Sequence, residues 1–434
     1  MTGNSKFTAL LFLVCVGMGA GAHAHGRRDD RERLERHERA DSLRKEALAK
    51  WDDCDRRDSR ERRKPGKAKD KNEDRGGQGN ADDFSTAPLQ CGDVITTNSR
   101  LTEDLVCPNT DGFALVVVGD NITLDGNGFK ILAPNAGAGL FVQGSENTVR
   151  NLGVQGGRAF GIFAYNSPGI KILNNDTSFN QVGIEIYTDA PVVSGAVVRG
   201  NKSVGNAAYG VRTGQGNLGQ IVNPKISGND FSDSGSFGMA IAATRYEMDG
   251  RRVYNRLRGS ENGIFLVSGS FSLHHFSLRS EKLLKTQIFA QNAAYVRIAD
   301  ADVSSTLSPE PSEERTGVDL YRVGKFKLVR VKAHGNDTGL RLQTEQGVSP
   351  DGDIQDCDFA GHAYAGISII SYDATPYGRI KLKCNNFYED VLAGVHELIV
   401  ELSTVADIRL FDSCEGGDDR DDCDREDDRE DDRE

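Results

Sequence analysis

The sequence predicts an all-β solenoid, a single-stranded parallel β-helix of about eleven or twelve coils over residues 84–414. Three observations predict it. A glycine followed by a short alternating apolar run recurs at Gly139-Leu140, Gly161-Ile162, Gly183-Ile184, Gly210-Val211, Gly238-Met239, Gly263-Ile264, Gly317-Val318, Gly339-Leu340, Gly366-Ile367 and Gly394-Val395, mostly 22 to 28 residues apart. A second apolar segment follows in most units and ends at a turn residue: Asn175, Asn201, Asn229 and Asn385, with Cys357 in the equivalent place. Neither helix-forming stretches nor the leucine-rich repeat signature occur within the repeat, so stacked strands are the economical reading. Strands this short are unstable alone, but stacked coil on coil they share one core.

The remaining segments follow from the N-terminus. Residues 1–24 have a secretory signal pattern: Lys6, an apolar run from Thr8 to Ala20, and a small-x-small end at Ala22-His23-Ala24. Residues 25–83 form a charged low-complexity arm, read as disordered or a solvated helix. The solenoid opens with a cap at 88–111 and closes before an acidic, disordered tail at 415–434. The long gap between Gly263 and Gly317 holds a degraded copy starting near Ile288. Asparagine suits the turns because it tolerates left-handed backbone, and an inward amide can bond its counterpart one coil away.

Composition narrows the function. With 53 Lys and Arg against 65 Asp and Glu, the net charge is −12, which disfavours a general nucleic-acid binder. Once the signal segment is removed, no run is long and apolar enough to span a bilayer. An exported, secreted, periplasmic or cell-surface location is expected. Of eight cysteines, Cys15 leaves with the signal segment. The odd remainder predicts one thiol that is free or bonded to another chain. The repeated Asp-Asp-Cys-Asp-Arg pentapeptide at 52–56 and 421–425 suggests that Cys54 and Cys423 join the two arms or link an oligomer. No metal-ligand spacing or cofactor motif appears, and weak Ca²⁺ binding by the acidic tail is all the composition supports.

The run Cys91-Gly92-Asp93-Val94-Ile95-Thr96, then Leu101 to Cys107, then Asp120-Asn121-Ile122-Thr123-Leu124-Asp125-Gly126-Asn127-Gly128, resembles the opening of secreted right-handed parallel β-helix proteins. These form the pectin-lyase-like superfamily, which includes the NosD-like periplasmic group. The resemblance implies a right-handed winding and a Cys91–Cys107 disulfide bracketing the N-terminal cap. It does not decide activity, because the fold hosts lyases, hydrolases, epimerases, adhesins and tailspikes. Of the polygalacturonase motifs only Arg379-Ile380-Lys381 is present, and the epimerase and pectate-lyase motifs are absent.

Alternation along the Gly-led strands places the residue two after each glycine on the outer face. One resulting patch is Phe141, Phe163, Tyr165, Glu185, Tyr187 and Arg212; a second is Asp319, Tyr321, Arg341, Gln343 and His396. Aromatic rings beside arginine suit an extracellular or cell-wall polysaccharide, with rings against sugar faces and guanidinium groups on uronate carboxylates. For a lyase or epimerase, Tyr321, His396 and Arg341 are the candidates for base and charge stabiliser. The same pairs also read as ladders of structural ion pairs. A further cluster, His362, Tyr364, Tyr372, Asp373, Tyr377 and Arg379, sits near a loop rich in turn residues. Two functions follow: binding or processing a polysaccharide, or serving as a non-catalytic adhesion or matrix scaffold.

Overall fold

A computed structural model describes residues 84–410 except 86, 217–218, 251–254, 279–284, 306–314, 346–347, 349, 363–364, 372–378, 384, 388–397 and 402–407. The signal segment, the charged arm with Cys54, and the tail with Cys423 and its proposed Ca²⁺ site lie outside the described residues, as does His396. The described residues contain strands and no helix, wound as a right-handed parallel solenoid.

The Gly-led strands stack into one thirteen-stranded parallel sheet, from Val94–Ile95 through Ala138–Gln143 and Val182–Thr188 to Leu398–Glu401. Its inward column is apolar from coil to coil. Leu115, Leu140, Ile162, Ile184, Val211, Met239, Ile264, Ile288, Val318, Leu340 and Ile367 are all buried and follow one another in register. Ile288 occupies this column, so the degraded copy is a true coil. Burial of such side chains stabilises by roughly 1.5–3 kcal/mol each.

The glycine at the head of each strand is a matter of space rather than of backbone angle. A Cβ on Gly161 would lie 2.6 Å from Asn180 Nδ2 and 2.7 Å from the Gly183 carbonyl. On Gly210 it would meet the Gly238 carbonyl at 2.7 Å, and on Gly317 the Gly339 carbonyl at 2.6 Å. At these positions the following coil leaves no room for a side chain on the coil before it, whereas Ala114 and Gln287 carry side chains at the equivalent place in their coils.

The rest of each coil is built differently in the two halves. Early coils turn three corners. Thr123–Asp125, Thr148–Arg150, Lys171–Leu173, Val197–Arg199 and Lys225–Ser227 belong to a six-stranded sheet, and Leu105–Val106, Lys130–Leu132 and Gly153–Gln155 form a third, three-stranded face. Later coils replace these by one long strand, such as Ser270–Ser277, Tyr295–Asp302 and Lys325–His334, in an eleven-stranded sheet.

The predicted asparagine ladder stands at the early corner. Asn175, Asn201, Asn229 and Asn255 are buried. The Oδ1 atoms of Asn201, Asn229 and Asn255 accept the backbone N–H of Asn175, Asn201 and Asn229, at 2.9, 2.9 and 3.1 Å. Their Nδ2 groups donate to the carbonyls of Ile172, Val198 and Ile226. The corner interrupts the backbone ladder, and the side-chain amides replace the missing bonds. The same column continues through Phe276, Ala301 and Val331, where the long strands pair without interruption. It returns to polar partners at Cys357, whose sulfur accepts from Val331 N–H and whose own N–H donates to Asn385.

Cys91 and Cys107 are bonded, with Cα atoms 5.6 Å apart, and they clamp the first coil. Cys357 is a free, buried thiol.

Candidate functional site

The outer face of the long sheet carries three columns rather than the two that alternation predicts. At each leading glycine the alternation slips, so the residue before the glycine and the residue two after it share the outer face. Phe160 and Phe163 stack at 4.7 Å, and the Arg212 guanidinium lies 5.2 Å from the Tyr209 ring and 5.9 Å from the Phe160 ring.

The first patch is assembled as a stack. Phe113, Phe141, Phe163, Tyr165 and Tyr187 contact in sequence, with centroids 4.5 to 6.2 Å apart. Phe141, Phe163 and Glu185 are nevertheless buried, at 3%, 3% and 1% exposure, and Tyr187 is also buried, whereas free exposure of the outward residues was expected. Parallel in-register strands set equivalent side chains only one coil apart, so neighbouring rings cover one another. Arg212 donates to Glu185 Oε2 at 2.5 Å, while Glu185 Oε1 is buried without a hydrogen-bond partner. Burial pushes the Glu185 carboxyl up to about 7 against the opposing pull of Arg212. Tyr165 donates to Asp189 at 3.1 Å. Burial first, and then the Asp189 charge, pushes Tyr187 up to about 12.

The second patch is a smaller polar cluster. Asp319 is buried, accepts from Gln343 Nε2 at 2.6 Å, and lies 3.8 Å from Arg341 Nη1. The Tyr321 hydroxyl donates to Glu345, and that bond, with burial, raises its pKa. A general base needs the opposite shift. Of the third cluster, Tyr364, Tyr372, Asp373 and Tyr377 lie outside the described residues; His362 is buried with Nδ1 3.1 Å from the Asn336 carbonyl, and Arg379 is exposed.

Between the two charged clusters runs a ladder that alternation alone did not single out. Tyr209, Phe237, Phe265 and Phe289, all half-buried, stack on four consecutive coils at 6.3, 5.0 and 5.2 Å, with interplanar angles of 6°, 21° and 8°. Their faces are turned to one another, so the rims face outward. Arg212 sits at one end, and Phe289 is in register with Asp319 at the other. Phe265 was readable as an outward position. Tyr209 and Phe237 stand in the column before the glycine, and Phe289 belongs to the coil that has lost its glycine.

Fold and site together define a right-handed parallel β-helix domain with a charged and aromatic outer face. Residues 94–274 match the family model described as the right-handed beta helix region. No curated protein matches the sequence. Among solved structures, the catalytic domain of a GH87 alpha-1,3-glucanase in complex with tetrasaccharides superposes with a TM-score of 0.31 and 11% identity. That match covers 72% of this chain and 62% of the other, and it is too loose to transfer a site. Among the described residues no helix is long and apolar enough to cross a membrane, and no group of three acidic, His or Cys side chains is placed to hold a metal ion.

Proposed function

We propose that this protein is an exported β-helix that binds an extracellular polysaccharide along the outer face of its long sheet. The observation that carries this reading is the half-buried ladder of Tyr209, Phe237, Phe265 and Phe289, bounded by Arg212 and Asp319. A narrow apolar stripe with charged ends offers C–H contacts to a sugar chain and hydrogen bonds at its margins. The four rings span a length on the order of three coil spacings, about 15 Å, the scale of a short oligosaccharide. Binding is favoured over processing because Tyr321 is held as a neutral donor and Glu185 is closed off beneath its neighbours. The Cys91–Cys107 bond supports export, since such bonds persist in oxidising compartments. Kinship with the NosD-like group and removal of residues 1–24 belong to the same reading.

A scaffold reading is favoured by one observation: the ring faces are spent on one another. Affinity electrophoresis of the exported protein in gels containing glucan, xylan, mannan, pectate or alginate separates the two. Retardation by at least one polymer, lost in a Phe265→Ala/Phe289→Ala variant that remains folded, is expected. Equal mobility in every gel would leave the scaffold role.

A further inference from the structure

The eleven-stranded sheet carries a second arrangement, on a different face from the aromatic ladder. Charged side chains around it are mostly paired: Arg330 grips Asp300 at 2.6 and 3.2 Å, His275 lies 3.2 Å from Asp249 and 3.1 Å from Asp300, His334 lies 2.9 Å from Asp358, and Arg245 holds Glu247. Arg297 stands apart by being half-buried without such a partner. Among the described residues it has no hydrogen-bond or ion-pair partner, and its Nε is cut off from solvent. Its register neighbours are Ser272 on the coil before and Lys327 on the coil after, the lysine being followed one coil further by Asp353. Ser272 Oγ is 2.6 Å from His274 Nε2 on the same half-buried strand face.

We infer that Arg297, with Ser272 and His274 beside it, forms an oxyanion-binding site that takes a carboxylate, sulfate or phosphate group. A guanidinium whose donors are unspent, next to a hydroxyl and near a second positive charge, is complementary to a small anion with several acceptor oxygens. Burial, then the Arg297 and His275 charges, lowers the His274 pKa, and Asp249 and Asp300 oppose this only in part. The inference does not rest on the polysaccharide reading, because it uses another sheet and another chemistry.

The test is calorimetric titration of the full chain with sodium sulfate, inorganic phosphate and tetragalacturonate in parallel. Saturable binding of at least one probe is expected, weakened tenfold or more in Arg297→Gln and less in Ser272→Ala, and unchanged in Arg330→Gln. A free anion binding as well as the tetrasaccharide marks a small-ion site; tetragalacturonate binding alone marks a group on a polymer. In the wild-type chain, the His274 ring resonances should titrate at higher pH when the bound probe is present. Absence of binding by all three probes, equal binding by Arg297→Gln, or an unmoved His274 titration would overturn the inference.

Discussion

The two halves of the solenoid solve the same problem by different means. In the early coils the backbone breaks at a corner, and Asn175, Asn201, Asn229 and Asn255 carry the hydrogen bonds from coil to coil. In the later coils the strand runs through that corner, the column is filled by Phe276, Ala301 and Val331, and the backbone bonds itself. Left-handed residues mark the bend in both halves: Asn151 and Asn174 early, then His275, Asp300, Arg330 and Asp356. Where the amide ladder is present the inward position is polar and invariant in chemistry; where the strand is continuous it accepts apolar residues of any size. A buried polar column is therefore a substitute for backbone pairing, not an addition to it.

The comparison breaks most readily at Asn201. Asn201→Leu strands the Asn175 N–H and the Ile172 carbonyl inside the core, at a cost of about 4 kcal/mol. Val331→Ala, at the matching position of the later half, removes only methyl groups and costs about 2 kcal/mol. Urea unfolding of both variants checks the ratio, and equal losses would dissolve the distinction. A second contrast lies on the outer face. The folded Glu185 carboxyl keeps its proton up to about 7, whereas its ordinary value is 4.5. Its contribution to stability is thus greatest below the lower value and declines as pH rises through the interval. Between pH 4 and 8 the wild type should lose about 3 kcal/mol relative to Glu185→Gln.

The cysteines sharpen the comparison further. Reducing Cys91–Cys107, which are 16 residues apart, releases a short loop and lowers stability by about 3 kcal/mol. Hydrogen exchange should show the loss concentrated in the first coils. Gly183→Ala places a methyl group on Ser203 Oγ and against the Gly210 carbonyl 2.7 Å away, and costs about 2 kcal/mol by calorimetry. The smallest effect is at Cys357. Burial pushes its thiol up to about 12, so iodoacetamide at pH 8 should leave it unmodified until the chain is unfolded.

Much of this fold was legible because its signals are local and repeated. The glycine-led strands, the inward asparagines at 175, 201 and 229, the column shared by Cys357 and Asn385, and the coil at Ile288 all follow from spacing and alternation. The Cys91–Cys107 pair followed from resemblance. The outer face was read less well. Alternation slips at each leading glycine, so the column of Tyr209 and Phe237 was not placed there. Phe141 and Glu185 face outward as expected, yet their burial depends on neighbours more than twenty residues away in sequence. Arg297 could not be recognised, since a missing partner shows only in three dimensions.

The uniform strand direction also decides how the molecule yields to force. Every described strand lies across the axis of the solenoid and pairs with strands of the windings above and below. Tension along that axis opens those bonds a winding at a time, like thread leaving a spool, while tension across it loads a whole strand at once. The Cys91–Cys107 link ties the first winding shut, so unspooling from that end must begin further in.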